Sequence, residues 1–168
     1  MRYPMILISA LLITGSLSAQ FVPAAGSNID IQPLWGPTGH DYVTYYYLPD
    51  IEAYYDVPRR EFYYYDGGRW VGASHLPSHY SGFDLYNSYK VVVNEPKPYN
   101  NHAKHRTEYV VYLARYDQPM IRDSRDPRYY IVKGHPEHNK WVNRQGNGKD
   151  NGNGDGKDDK KDNKDNKD

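Results

Sequence analysis

The stretch DYVTYYYLPDIEAYYDVPRREFYYYDGGRWV, residues 41–71, decides the fold of this chain. It contains nine tyrosines, one phenylalanine and one tryptophan. Tyrosine, phenylalanine and valine favour the pleated backbone of a strand, whereas proline, aspartate and glycine interrupt it. The interruptions predict four short strands, at residues 42–48, 51–56, 61–66 and 69–72. Strands joined by turns this short, one of them an Asp-Gly turn, form an antiparallel β-meander.

Alternation along these strands predicts which side chains face the core, because successive side chains of a strand point to opposite faces. The core set read in this way is Val43, Tyr45, Tyr47, Ile51, Ala53, Tyr55, Phe62 and Tyr64. The opposite face then carries Tyr46, Tyr54, Tyr63 and Tyr65. Tyrosine suits a half-buried position, because its ring is apolar and its hydroxyl can stay in water.

These four tyrosines are the candidate binding residues. Rings exposed on a flat sheet can stack on sugar rings or take up an extended partner. The alternative is that C-terminal segments cover both faces of the sheet, in which case the rings are core.

The segments around the meander predict a β-rich α+β domain with a single short helix. Residues 20–37 are rich in proline and glycine and form an extended lead-in, with an edge strand at 29–32 as the alternative. Residues 88–95 contain three consecutive valines and predict a strand covered on both faces. Residues 102–116 place tyrosine and leucine at helical spacing, although 109–113 also fits a strand. Residues 128–133 predict a last strand.

Both ends of the chain differ from the domain at 38–142. Residues 1–19 combine Arg2, the apolar run MILISALLI and small residues up to Ala19, which is the pattern of a cleaved secretory signal peptide. The apolar run is about half of the roughly 20 residues that a transmembrane anchor needs. Residues 143–168 contain no apolar side chain and predict a disordered Asn/Gly/Asp/Lys tail.

Charge and cysteine content exclude several kinds of partner. The chain has 21 basic and 21 acidic residues, so no basic excess favours nucleic acid or an anionic membrane. It has no cysteine and therefore no disulfide framework. We expect a protein that is exported to the periplasm or beyond and soluble after signal-peptide cleavage.

Two histidine pairs with i, i+3 spacing are candidate metal ligands: His102 with His105, and His135 with His138. One helical turn can present both imidazoles of a pair to Zn²⁺ or Cu²⁺. No cysteine or adjacent carboxylate completes a ligand set, so solvated surface histidines are the simpler interpretation, and we predict no cofactor. In the tail, oxygen ligands from Asn151 to Asp162 match the spacing of a calcium loop, which such a composition also produces by chance.

Catalytic signatures are absent from the sequence. It has no Gly-x-Ser-x-Gly, no phosphate-binding glycine loop, no His-Glu-x-x-His and no thiol. Two of the meander carboxylates could flank a glycosidic bond, although solvated acids beside turns are the simpler interpretation. These carboxylates are Asp50, Glu52, Asp56 and Glu61.

The segments YYYLPD (45–50), YYD (54–56), GGRW (67–70), LP (76–77) and YKVV (89–92) together resemble a loose family of small, Tyr-rich, exported bacterial proteins. The resemblance covers residues 42–93, less than half of the expected mature chain. It implies an exported β-rich domain, and it implies no activity or site residues, because that family has no assigned function.

The sequence therefore predicts an exported, non-enzymatic protein that acts as a cell-envelope binding or structural module. Its partner would be an envelope polysaccharide or another envelope protein. One alternative is a periplasmic metal-binding protein that uses the histidine pairs. A second alternative is an enzyme that acts on envelope polysaccharide.

Overall fold

A five-stranded antiparallel sheet forms the centre of the protein in the computed structural model, which describes residues 26–147. The strands lie in the order β4-β3-β2-β1-β5. They are β1 (Tyr45–Leu48), β2 (Ala53–Asp56), β3 (Glu61–Asp66), β4 (Arg69–Ala73) and β5 (Val91–Val93), and two α-helices follow, α1 (His102–Glu108) and α2 (His138–Asn147). The predicted fold class, a β-rich α+β domain built on an antiparallel meander, is thus confirmed, with a second helix added.

The β3–β4 hairpin forms where the Asp-Gly signal predicted it. Gly67 and Gly68 have φ angles of 55° and 82°, which residues with a side chain rarely adopt. Two consecutive positive φ angles give a turn whose twist matches that of the flanking strands. Asp66 and Arg69 pair directly across this turn.

The strand predicted at 88–95 is confirmed in shorter form as β5, which pairs with β1 on the outer side of the meander. Just before β5, the Gln118 side chain makes two backbone hydrogen bonds that a neighbouring strand would otherwise make. Its oxygen accepts a hydrogen bond from the Lys90 backbone N–H at 2.9 Å, and its amide donates to the Lys90 carbonyl at 2.9 Å. One side chain thereby satisfies two backbone groups at this edge.

Both faces of the sheet are buried at its central strands β1 and β2. On one face Tyr46, Tyr55 and Phe62 pack around the indole of Trp35, with ring centroids 4.8–6.4 Å from it. On the other face Tyr47 and Tyr54 pack in a second aromatic cluster that α1 and the residues before it cover. Aromatic rings at these separations, in edge-on and tilted arrangements, stabilise the fold by more than the burial of their surface area alone.

The face predicted for β1 is wrong. Tyr46 pairs with Tyr55 across the sheet and shares its face, whereas Tyr45 and Tyr47 lie on the face of Tyr54. Every residue of the run 45–47 is tyrosine, so alternation within the run carries no information about the face. The register with β2 decides it, and a shift of one residue exchanges the faces. The assignments for β2 and β3 agree with the structure.

Residues 26–37 belong to the folded body rather than to an extended lead-in. The alternative considered for 29–32, an edge strand, does not form either, because Ile29–Ile31 form a 3-10 turn. The Asn28 side chain accepts from the Val43 N–H and donates to the Val43 carbonyl, so this segment is fixed to the residues before β1. These hydrogen bonds join positions that are 15 residues apart, so no local sequence pattern predicts that this segment is fixed to the domain.

The C-terminal third of the described chain contains more helical turns than predicted. Residues 128–133 were predicted as a strand but lie largely within a 3-10 helix, Pro127–Ile131, where the Asp126 side chain accepts from the Arg128 N–H. The aspartate caps the helix start and Pro127 occupies its first position, which overrides the local strand preference. This turn packs Tyr129 against Ile29 and Ile121.

The predicted helix at 102–116 and the predicted tail boundary are only partly correct. α1 ends at Glu108, and a separate 3-10 turn, Val110–Tyr112, follows it. α2 extends to Asn147, so the predicted tail at 143–168 begins as helix. The expected signal peptide and the calcium-like pattern lie outside the described residues. Within residues 26–147 no helix is long and apolar enough to cross a membrane.

Candidate functional site

His105 of α1 is fully buried against the sheet, with 0% of its surface exposed. Its Nδ1 lies 2.9 Å from the Tyr54 hydroxyl of β2, and its Nε2 lies 3.7 Å from Oε2 of Glu95, just after β5. If the tyrosine hydroxyl donates to Nδ1, the imidazole proton lies on Nε2 and faces the carboxylate. A hydrogen bond from Asn101 holds the pKa of Glu95 below its usual range, so the carboxylate stays ionised.

This carboxylate–imidazole–hydroxyl order is that of hydrolytic triads, but its environment differs from theirs. Tyr54 is fully buried, and burial raises its pKa far above the usual tyrosine value. Its hydroxyl therefore stays protonated, and no substrate can approach it in this conformation. The contact ties α1 to the centre of the sheet and fixes the orientation of the helix.

The outward-facing residues of α1 meet Glu52 at the end of the β1–β2 connection. Arg106 Nε lies 2.9 Å from Glu52 Oε1, and His102 Nε2 lies 3.5 Å from Glu52 Oε2. Glu52 has a φ of 51°, a left-handed conformation that costs a residue with a side chain about 1 kcal/mol or more. Backbone strain of this kind is enriched at functional sites. Here the strained residue Glu52 directs its carboxylate toward the guanidinium of Arg106 and the imidazole of His102.

Burial lowers the pKa of His102, with Glu52 acting in the opposite direction and Arg106 in the same direction. The imidazole is therefore neutral at pH 7. The Glu52–Arg106 pair has no net charge either. The wall formed by these three side chains is thus polar but neutral overall.

An aromatic hollow of about 610 Å³ lies on one side of this wall. Trp70 of β4 lines it, and the Trp70 ring centroid lies 5.5 Å from Tyr65, 5.7 Å from Tyr99 and 5.1 Å from His102. Ile51, Tyr80 and Asn100 also line this hollow. Several apolar ring faces and edges converge there beside hydrogen-bonding groups.

An apolar hollow of about 620 Å³ lies on the other side of the wall. It shares four residues with the aromatic hollow: Glu52, His102, Ala103 and Arg106. Its remaining lining is Tyr47, Pro49, Thr107, Tyr109, Val110 and Leu113. We call the two hollows together the α1 cleft.

The four tyrosines predicted as one binding surface do not form one. Tyr46 is fully buried on the opposite face of the sheet, and Tyr54 is fully buried under α1. Tyr63 is half-buried and stacks on Tyr99 at 4.9 Å, beneath the aromatic hollow. Tyr65 is 59% exposed and lines that hollow. α1 and its preceding loop cover this face, which agrees with the alternative in which C-terminal segments make the tyrosine rings core.

The four predicted metal ligands are not brought together either. His102 and His105 lie on α1, but their Nε2 atoms face different carboxylates. His135 uses both ring nitrogens, since Nδ1 accepts from the Glu137 N–H and Nε2 lies 3.1 Å from the Ser124 carbonyl. His138 bonds the Tyr130 carbonyl through Nδ1. Among residues 26–147, no group of three or more potential ligands converges on one point.

The four carboxylates of the meander do not form a pair either, because each one has its own separate partner. Asp56 is buried and binds the Arg59 side chain and backbone, Asp50 accepts from the Ala114 N–H, and Glu61 lies 3.3 Å from the Tyr63 hydroxyl. Only Glu52 of the four lines either hollow of the α1 cleft.

Sequence reasoning missed Trp70, Tyr99 and Arg106 as parts of one site. Trp70 follows a hairpin turn and Tyr99 precedes α1, so nothing local connects them. One signal in the sequence could have identified Trp70 as a site residue. It is a tryptophan that directly follows a turn on a short strand, and from such a position a large ring can contact a neighbouring element. Comparisons of the chain with protein-family models, curated proteins and solved structures found no significant match.

Proposed function

We propose that this protein is an exported, non-enzymatic binding module of the cell envelope that holds a neutral glycan in the aromatic hollow. One observation carries the proposal: Trp70 lies among Tyr65 and Tyr99, directly beside the Glu52–Arg106 pair. Apolar ring faces flanked by a few placed polar groups are typical of small-ligand sites.

The chemistry of a sugar matches this arrangement. One face of a pyranose ring presents C–H groups, which pack on an aromatic face, and its edges present hydroxyls. Glu52 can accept hydrogen bonds from these hydroxyls. Arg106 has five N–H donors, of which Nε serves Glu52, so it keeps donors for a ligand.

Charge balance favours a neutral ligand over an ionic one. The Glu52–Arg106 pair cancels, and His102 is uncharged at pH 7 because its pKa is lowered. An anion would be repelled by Glu52 and a cation would be repelled by Arg106. A glycan without ionised groups avoids both costs.

Export rests on the N-terminal pattern of residues 1–19. An exported protein meets envelope polysaccharides, which agrees with the chemistry of the cleft. The mature protein should begin at Gln20, and the intact mass of exported protein measures this directly. Exported material that retains Met1 would contradict the assignment.

The experiment is a calorimetric titration of the purified protein with an oligosaccharide of β-1,4-linked N-acetylglucosamine, which is a neutral and soluble glycan probe. We expect Trp70→Ala to weaken binding at least tenfold, because a central aromatic anchor contributes more than about 1.4 kcal/mol. The matched control is Trp141→Ala, since Trp141 lies on α2 and lines neither hollow. Equal affinity of the two variants would contradict the proposal, as would the absence of binding by the unmodified protein.

A further inference from the structure

The apolar hollow of the α1 cleft continues into an exposed apolar strip. We define this strip as Val110, Val111 and Leu113, whose side chains are 52%, 68% and 47% exposed. Single exposed apolar residues are common on protein surfaces, but clustered ones mark interaction sites more often. Val110 and Leu113 belong both to the strip and to the wall of the hollow.

The strip is held in place rather than left as a free loop. Immediately after it, the Ala114 N–H donates to Oδ1 of Asp50 at 2.8 Å, and Ala114 has a φ of 53°. Within it, the Tyr112 ring stacks on Tyr89 with centroids 4.4 Å apart and planes at 9°. Tyr112 is thus anchored against the protein while its neighbours Val111 and Leu113 face outward. A surface fixed in this way loses little entropy on binding.

The two hollows share four lining residues, and the smallest of these is Ala103. A ligand that extended from the aromatic hollow into the apolar one would therefore meet the least steric hindrance over the Ala103 methyl group. The charged residues of the wall, Glu52 and Arg106, are bound to each other.

We propose, on the basis of the proposed function, that the ligand is an amphiphilic glycoside. Its sugar lies over Trp70 in the aromatic hollow, and an aliphatic chain attached to that sugar crosses Ala103 and lies in the apolar hollow against the strip. We assign the strip to the same ligand because it borders the apolar hollow, which shares four lining residues with the aromatic hollow. A bare polysaccharide would leave Val110 and Leu113 without a partner.

The test compares the methyl and octyl β-glycosides of N-acetylglucosamine, with the octyl compound kept below its micellar concentration. Each methylene that leaves water favours binding, and part of this gain offsets the ordering of the chain. We therefore expect the octyl glycoside to bind at least tenfold more tightly than the methyl glycoside. Leu113→Ser and Val111→Ser should each reduce the octyl-to-methyl affinity ratio. The matched control is Val142→Ser on α2, where a valine is 44% exposed outside the cleft.

The outcomes separate this inference from the proposed function. Equal affinity for both glycosides would overturn the inference and leave a glycan module, whereas failure of both glycosides and of the longer oligosaccharide would overturn both. Octanol that binds as tightly as the octyl glycoside, with no effect of Trp70→Ala, would also overturn the inference. The inference would also be overturned if the protein dimerised in the absence of any glycoside and Val111→Ser abolished that dimer. The strip would then be the contact surface for a second copy of the chain.

Discussion

At the residue scale, the buried polar side chain of Lys90 lowers the stability of the fold. Lys90 is 2% exposed, and its ammonium group donates to the Tyr86 carbonyl at 3.2 Å. Burial lowers its pKa to about 8, with Asp84 acting in the opposite direction. A lysine has three N–H donors, so a buried one with a single described acceptor is poorly compensated.

Replacement of this lysine by methionine should therefore stabilise the protein. At pH 7 we expect Lys90→Met to raise the free energy of unfolding by about 1–3 kcal/mol, because no charge has to be buried. The unfolded state holds the proton up to about pH 10.5, whereas the folded state releases it near pH 8. Wild-type stability should thus rise between these values and the advantage of the variant should shrink.

Urea unfolding at pH 7 and at pH 10 measures this difference. Lys140→Met is the matched control, since Lys140 is exposed on α2. A destabilised Lys90→Met protein at pH 7 would show that the ammonium group makes a contact more favourable than its single carbonyl partner indicates.

At the element scale, the meander shows what local patterns can and cannot specify. β3 occupies the predicted residues because glycines end it on one side and charged residues precede it on the other. Alternating apolar and polar residues also gave the correct faces for β2 and β3. The run Tyr45-Tyr46-Tyr47 has no such alternation, so its face depends on pairing with two other strands. The same dependence on distant partners explains the incorrect strand at 128–133.

Because both faces are packed, mutations on either face should be similarly harmful. Phe62→Ala removes a ring that contacts Tyr55 and Trp35, and we expect it to cost about 3–5 kcal/mol. Tyr54→Ser on the opposite face should cost a similar amount, because it removes a buried ring and leaves His105 Nδ1 without its partner.

The measurement is the urea midpoint of each variant, with Tyr65→Ser as the exposed control that should change stability by less than about 0.5 kcal/mol. If Tyr54→Ser were as mild as Tyr65→Ser, α1 would not pack on the sheet as described, and the face of Tyr54 would be open.

At the scale of the whole molecule, the sequence predicted the sheet but not the cleft. The meander arises from neighbouring segments, so turns and β-formers were sufficient to find it. The cleft arises where β4, the β1–β2 connection and α1 meet, and its residues Glu52, Trp70 and Arg106 are far apart in the chain. Their convergence depends on how α1 docks, which the buried His105–Tyr54 contact determines. No local pattern records such a contact.

The three tryptophans allow the most direct test of the central claim that the aromatic hollow binds a glycan. Their indole N–H groups should give three resonances in a two-dimensional NMR spectrum of ¹⁵N-labelled protein. On titration with the N-acetylglucosamine oligosaccharide, the Trp70 resonance should shift in a saturable manner. Trp35, packed on the other face of the sheet, and Trp141, on α2, should stay unchanged. A Trp70 resonance that does not move while the protein binds the oligosaccharide would contradict the account.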